Sequence, residues 1–408
     1  MEIIVQKFGG TSLATESKRE QVVEKISRAK RSGYSPVVVV SAIGRKGDPY
    51  ATDTLLSLID SNNGNLSKRD NDILLSCGEL ISGSVITAML NKKGLDPVLL
   101  TGGQAGLITS NDFSDAKIIE ICTDKLTEFL QKGKTVVVAG FQGMTKDGEI
   151  TTLGRGGSDT TAAALGVALD AQMVEIYTDV NGIKTADPRI VEDAKTLEAV
   201  TYTEICQLAH EGAKVIHPRA VEIAMKHNLP LKVKCTFSDE EGTVVTSKGR
   251  LQENSLEIND YRLITGITSI PNITQLKVDT SYIKEGKGIE LKIFKAMALA
   301  DISLDFINVT PYYIMFTVKQ GDTEKAVDVL ENMDLTPEVR KGCAKVAAIG
   351  AGMAGTPGVM ASIVEALTKE GVNILQSADS HTTIWCLVNN KDMEKAVRAL
   401  HKQFKLNA

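Results

Sequence analysis

Three glycine-containing segments carry the residue types that can hold an anion. In KFGGTS, residues 7–12, two glycines follow a β-branched run, so Gly9 and Gly10 can turn backbone N–H groups toward a negative charge while Lys7 adds a positive one. In TTLGRGGSDTTAAALG, residues 151–166, the run Arg155, Gly156, Gly157, Ser158 and Asp159 stands just before an alanine-rich helical pattern. Ser158 or Asp159 can cap that helix, and a glycine-rich turn capping a buried helix reads as well here as an anion site. The third segment, YTDVNGIKTADPR at residues 177–189, sets Asp, Lys and Arg on a turn-rich loop, although Asn-Gly and Asp-Pro are explained by turn chemistry alone. No GxxxxGK[ST] occurs, so an ordinary P-loop is not expected. A GxGxxG at Gly350, Gly352 and Gly355, with Asp379 ending the next strand, imitates a dinucleotide fingerprint. Only about fifty residues follow it, too few for a doubly wound sheet, so it reads as a strand-to-helix turn with Pro357 as helix starter.

The elements that must hold these loops follow from periodicity. Over the first ~235 residues, β-branched runs alternate with helical patterns: EIIVQKF, a helix from about Ser17 to Arg31, PVVVVSA, helices around Thr54 and Ile73, PVLL, a helix near Ile118, TVVVAGF, MVEIYTD and LPLKVKC. Strands apolar on both faces, as at Val37 to Val40, are read as parallel strands covered by helices on each side. That predicts an α/β three-layer domain with a mostly parallel central sheet over residues 1–245. Around residues 238–254 the pattern turns polar and aperiodic, marking a boundary. The remainder contains a duplication: a shift of 70 residues superposes Ile293 on Ile363, Ala296 on Ala366, Ile314 on Ile384, Val318 on Val388 and residues 324–327 on 394–397. The order helix, strand, strand, helix, with RLITGIT or AKVAAIG ahead of each copy, predicts two ferredoxin-like βαββαβ modules, 260–340 and 341–408.

Composition limits the rest. The 408 residues, 43% apolar and 24% charged, fit a folded chain of two or three domains. A net charge of −5 without long runs of one sign makes nucleic acid and membrane poor partners. The start MEIIVQKFGG has neither a basic nor a long apolar region, so the expected compartment is the cytoplasm. Six scattered cysteines read as reduced thiols, and the five dispersed histidines complete no metal spacing, so no protein-bound metal is expected. His217, before a proline, reads as a helix-start residue.

In combination the motifs resemble the amino acid kinase family, and within it the aspartate kinases. KFGGTS, Ser41 with Thr52 and Asp53 downstream, SCGELIS at residues 76–82, GRGGSDTTA, YTDV followed by TADPR, and GAKVIHPRAVE at residues 212–222 occur in that family's order. The duplicated tail resembles the tandem ACT domains that regulate aspartate kinases, and its wording looks most like the Bacillus-type, diaminopimelate-sensitive form. Lys184 departs from the pattern, standing where the family often has a tyrosine.

The resemblance implies transfer of the γ-phosphoryl group of ATP, with Mg2+, to the β-carboxylate of L-aspartate. It assigns catalysis to Lys7, oriented by Asp159. Glu79 is implied to pair with the substrate ammonium, Arg155 to fork onto its α-carboxylate, and Thr52, Gly156, Gly157 and Ser158 to line the acceptor side. On the nucleotide side it places Lys7, Phe8, Gly9, Gly10, Ser41, Ser158, Thr178, Asp179, Lys184, Arg189 and Lys214. It also implies an end-product amino acid effector, diaminopimelate, lysine or threonine, near Asp305 and Thr310. Two other readings stay open: an amino acid kinase with another acceptor, such as glutamate, acetylglutamate or a nucleoside monophosphate, and a catalytically silent amino-acid sensor. Short, apolar strands over residues 302–309 and 372–377 have edges that invite pairing, so a homodimer or larger homo-oligomer is expected.

Overall fold

Strand β1 (Ile3–Phe8) is buried at five of its six positions, and it becomes an inner strand of an eight-stranded sheet. The computed structural model describes residues 1–60, 66–213, 215–247, 263–281, 288–353 and 355–407. The chain divides into two units: Met1–Ile183, Thr196–His210 and Lys214–Ile258 form the first, and Lys184–Lys195, Glu211–Ala213 and Asn259–Ala408 the second.

In the first unit β1 is followed by α1 (Gly10–Leu13), α2 (Glu16–Arg31), β2 (Ser35–Val40), α3 (Thr52–Asp60), α4 (Lys68–Lys92) and β3 (Pro97–Leu100). Next come β4 (Leu107–Thr109), β5 (Ile118–Ile121), α5 (Asp124–Gln131), β6 (Thr135–Ala139), β7 (Gln142–Met144), β8 (Ile150–Thr152), α6 (Gly157–Ala168) and β9 (Met173–Thr178). The unit closes with β10 (Ala199–Thr201), α7 (Tyr202–His210), α8 (Pro218–Lys226), β11 (Leu231–Cys235) and β12 (Thr243–Thr246). The large sheet runs β10-β12-β11-β9-β1-β2-β6-β3 and is parallel except where β11 meets β12. On one face Phe8, Val38, Val40 and Val137 pack under Val22, Val23 and Ile26 of α2 and Ile86 and Leu90 of α4. On the other, α6 lies close enough that a Cβ on Gly166 would stand 2.5 Å from Val174. Each such buried aliphatic side chain stabilises the fold by roughly 1.5–3 kcal/mol, which is why the two-sided apolar runs become central strands.

Helix α4 is, among the described residues, the one helix long and apolar enough to cross a membrane. Here it is a core helix, with Asp72, Ser76, Glu79 and Ser82 buried along it. The helix expected near Ile118 is instead strand β5, at one edge of a four-stranded sheet ordered β5-β4-β7-β8. Ile118–Ile121 is a short β-branched run that pairs with β4, and the helix begins only at Asp124.

The second unit contains β13 (Gly266–Asp279), α9 (Ile289–Leu299), β14 (Asp305–Val309), β15 (Tyr313–Lys319), α10 (Thr323–Glu331), β16 (Glu338–Ile349), α11 (Val359–Lys369), β17 (Gln376–Asp379), β18 (Thr383–Asn389) and α12 (Met393–Gln403). The 70-residue shift carries α9 onto α11 and β15 onto β18 without a gap. The strands ahead of the copies are arranged differently from the sequence reading. Residues 273–279 of β13 pair with β15, as 343–349 of β16 pair with β18, so these are the equivalent strands. Residues 266–270 of β13 pair instead with 345–349 of β16 and complete the second copy. Residues 338–340 of β16 in turn lie against 275–277 and complete the first. Two long strands shared in this way fuse the copies into one six-stranded sheet, β14-β15-β13-β16-β18-β17, whose outer strands are the two expected as edges. Residue 341 lies inside β16, and residue 260 lies outside the described residues.

Ala186, Val191 and Ala194, from the TADPR loop, share a core with Ile264, Ile267, Ala348 and Leu400, which is why that loop belongs to the second unit. The first glycine of GxGxxG has a backbone purpose. A Cβ on Gly350 would stand 2.3 Å from the Leu263 carbonyl oxygen, whereas one on Gly321 would meet nothing within 4 Å. Helix α11 starts at Val359 behind Gly358 in the left-handed region, so Pro357 lies outside it. Gly350→Ala should therefore lower stability by about 1–3 kcal/mol, and Gly321→Ala should leave it nearly unchanged, as read from paired thermal melts.

Candidate active site

The carboxyl ends of parallel strands are where an open α/β sheet gathers its ligands, above all where the chain reverses its direction across the sheet. Here that reversal is at β1: β2 and β6 lie to one side of it and β9 and β11 to the other. Lys7, next to last on β1, points to the α6 face, opposite to Phe8. Its Nζ is 2.7 Å from Asp159 Oδ1, and both side chains are nearly buried. Asp159 lies in the first turn of α6, where a negative charge meets the helix's positive end. The helix N-cap is Gly156 rather than Ser158 or Asp159, and its φ of +69° is a conformation that favours glycine. A Cβ there would also stand 2.1 Å from His217 Cγ, so the ring of His217 closes over the turn.

His217 caps α8 as expected, with Pro218 after it, and its Nδ1 accepts the Arg219 N–H at 3.4 Å. Burial pushes the imidazole below its usual range, which suits an acceptor nitrogen. Its backbone N–H donates to Asp159 Oδ2 at 3.2 Å, so Asp159 is held from two sides.

Glu79 sits on α4, almost wholly buried. Its Oε1 accepts the Ala42 N–H at 3.0 Å, just beyond β2, and its Oε2 has no hydrogen-bond partner among the described residues. Burial pushes the carboxyl up to about 8, against the opposing effect of the Ala42 amide. Gly78 allows this approach, since a Cβ there would stand 2.8 Å from Ala42 Cβ. Ser41 is fixed between the strands: its N–H donates to Phe8 O at 3.1 Å and its carbonyl accepts Ser82 Oγ at 2.7 Å. Thr52 opens α3 and is half-buried. Ser158 packs beside Gly140, at the end of β6, and Gly157 beside Phe141. Arg155 is exposed and pairs with no carboxylate among the described residues.

Two nucleotide-side expectations need correction. Phe8 is fully buried and stacks on Tyr177 with ring centroids 4.7 Å apart, so its side chain belongs to the core. The Gly9 N–H is turned to the Tyr177 carbonyl at 3.4 Å instead of toward an open anion position. Gly10 is required for a different reason: a Cβ would stand 2.5 Å from the Gly44 carbonyl oxygen, where the two loops cross.

At the end of β9, Thr178 Oγ1 donates to Asp179 Oδ1, and Asp179 pairs with Arg45 at 2.8 Å. Arg45 was missed from the sequence, although SAIGRKGD after β2 is itself a glycine-containing basic loop. Lys184 and Arg189 lie in the second unit, where Lys184 Nζ donates to Ala194 O and Arg189 forks onto Asp187. Lys214 lies outside the described residues.

In the second unit Asp305 opens β14, exposed, and its Oδ2 meets Lys345 Nζ at 2.5 Å. Lys345 is itself buried and also pairs with Glu211 at 2.8 Å. Burial pulls its ammonium pKa down, but hydrogen bonds to the two carboxylates outweigh that and raise it. Thr310 is a turn residue: its hydroxyl donates to Tyr313 O and accepts N–H groups from Tyr312 and Tyr313.

Comparison with known proteins gives this arrangement its class. The profile described as the amino acid kinase family matches residues 2–235, and one described as an ACT domain matches residues 338–402. The chain belongs to the amino acid kinase family, in its aspartokinase branch. Aspartokinase 1 of Bacillus subtilis (strain 168) is 52% identical to it over 408 residues, covering 100% of both chains. The crystal structure of E. coli aspartokinase III in complex with aspartate and ADP (R-state) is similar with a TM-score of 0.80 at 26% identity, covering 98% of this chain and 99% of that one. The same enzyme in complex with lysine and aspartate (T-state) gives 0.78 at 26% identity, covering 99% and 100%.

The raised Glu79 pKa has a consequence for stability. An unfolded glutamate ionises near pH ~4.3, whereas folded Glu79 keeps its proton to about 8. Between those values the folded state binds the additional proton, so stability falls as pH rises through the window. Glu79→Gln should remove that loss: from pH 5 to 8 the melting temperature of the parent should drop several degrees more than that of the variant, at about 2–4 °C per kcal/mol.

Proposed function

We propose that the chain is an ATP-dependent aspartate kinase, regulated by an end-product amino acid through its ACT unit. The observation that carries the reading is the nearly buried Lys7–Asp159 pair at the end of β1, in a unit that also buries Glu79 with one oxygen unpartnered among the described residues. A β-carboxylate acceptor is already ionised at neutral pH, so the reaction needs no general base. One carboxylate oxygen attacks the γ-phosphorus while the bond to the β,γ-bridging oxygen breaks, and ADP leaves with that electron pair. What the protein must supply is positive charge held where the transferring group passes. Lys7 does this, aimed by Asp159. ATP arrives with Mg2+, which usually keeps phosphate and water ligands.

On the acceptor side, Glu79 is the partner for the substrate ammonium. Pairing would draw off the proton that burial retains in the free protein. Arg155, without a carboxylate partner, forks onto the α-carboxylate. Thr52, Gly156, Gly157 and Ser158 complete that side. Gly10, Ser41, Ser158, Thr178, Asp179 and Lys214 serve the nucleotide, with Arg45 added through its pair to Asp179.

Regulation is assigned to the duplicated unit, with Asp305 and Thr310 near the effector and diaminopimelate as the favoured effector. Exposed Ile307, Val309 and Tyr312 on and beside β14 support a homo-oligomer joined through that edge. The compartment that fits this biosynthetic role is the cytoplasm.

Release of ADP from ATP should require L-aspartate, with glutamate and acetylglutamate supporting little turnover. Lys7→Ala should lower kcat about a hundredfold, the ~3 kcal/mol typical of one such contact, while changing the aspartate KM only a few-fold. Unchanged kcat in that variant would remove Lys7 from the mechanism, and absence of turnover in the parent would leave the chain a sensor.

A further inference from the structure

Helix α4 carries a second buried carboxyl group that phosphoryl transfer does not use. Asp72 lies two helical turns before Glu79, on the same face of the helix, and none of its surface is exposed. Its Oδ2 accepts backbone N–H groups from Ser114 at 2.9 Å and from Thr152 at 2.8 Å. Its Oδ1 accepts the hydroxyls of Thr152 at 2.8 Å and Ser114 at 3.3 Å. Burying such a group is costly unless its lone pairs are satisfied, and here four donors do so. No cation pairs with it among the described residues.

The two backbone donors flank the approach to Arg155: Thr152 ends β8, and Ser114 lies in the turn between β4 and β5. Thr152 is three residues before Arg155, and the intervening Leu153 carbonyl accepts Arg219 Nη1 at 3.0 Å. Ser114 has a φ of +75°, uncommon for a residue with a side chain, and the Asp115 after it lies against Gly154, where a Cβ would stand 2.7 Å from Oδ1. The Arg155 side chain has no hydrogen-bond partner of its own among the described residues, so its position is set by the backbone on either side. Asp72 fixes that backbone at one end, and His217 closes over Gly156 at the other.

We propose that Asp72 is a positioning residue for acceptor recognition: by holding the segment that leads to Arg155 on the helix that carries Glu79, it sets the distance between the two groups that grasp the amino acid. The inference rests on the reading of Arg155 and Glu79 as the aspartate clamp. A residue that merely stabilised the domain would lower the melting temperature and leave both Michaelis constants of the folded enzyme alone. A positioning residue separates them.

The test is steady-state kinetics of the full chain with Asp72→Asn, Arg155→Ala and the double variant. Asparagine keeps the shape of the side chain, and its amide oxygen can still take both backbone N–H groups. Asp72→Asn should raise the aspartate KM three- to tenfold with the ATP KM within twofold. The double variant should have the aspartate KM of Arg155→Ala alone, because the two residues act through one contact. Thr152→Val, which removes a single hydroxyl, should shift the aspartate KM in the same direction and serves if Asp72→Asn does not fold. An unchanged aspartate KM in the folded variants, or effects that multiply in the double variant, overturns the positioning role. A normal aspartate KM in Arg155→Ala alone instead overturns the clamp itself.

Discussion

The ion pair between Lys7 and Asp159 is the constraint around which the first unit is arranged. Two opposite charges nearly out of water are tolerated only when each is held on the other, and leaving one unpaired typically costs about 3–5 kcal/mol. The pair is therefore fixed from rigid elements: Lys7 from the middle of a parallel sheet, and Asp159 from the first turn of a helix packed against it. The His217 N–H takes the remaining carboxylate oxygen. Glycines stand where the backbone must make way, at Gly156 under His217 and at Gly10 beside the Gly44 carbonyl. On the proposed reading, a lysine so restrained would offer its charge to a transferring phosphoryl group without having to reorganise, which is where electrostatic catalysis gains most.

Helix α4 supplies the complementary side. Burial raises its Glu79 carboxyl to about 8, and among the described residues its Oε2 has no hydrogen-bond partner. On the proposed reading, a substrate ammonium would meet a site whose charge appears on binding, which favours an amino acid over an acid that lacks the amine. The same helix, through Asp72, holds the loop that leads to Arg155. On that reading, recognition of both ends of one small acceptor is a property of a single rigid element.

Much of this was legible in the residues. Two-sided valine runs gave the parallel strands, the glycine-containing loops gave the ends of β1 and the start of α6, and the 70-residue repeat gave the helices and edge strands of the second unit. What could not be read were outcomes decided by partners distant in sequence. Ile118–Ile121 pairs with β4 instead of joining a helix, and Phe8 is turned into the core by its stack on Tyr177. Nothing local in IKTADPR announces that Ala186 and Val191 complete the core of the other unit. Nor does the repeat show that residues 266–270 and 338–340, which the 70-residue offset relates, are exchanged, each completing the other copy. Asp72 carries no motif, and its importance comes only from what it touches.

The central claim is that Asp159 aims the Lys7 charge at the group in flight. Hydroxylamine traps an acyl phosphate as a hydroxamate, so aspartyl hydroxamate formation from ATP and aspartate reads phosphoryl transfer to the carboxylate directly. In a folded Asp159→Asn variant that keeps the parent's melting transition and aspartate affinity, the rate at saturating substrates should fall about a hundredfold, the scale of one lost electrostatic contact. Hydroxamate formation at the parental rate in that variant would contradict the account.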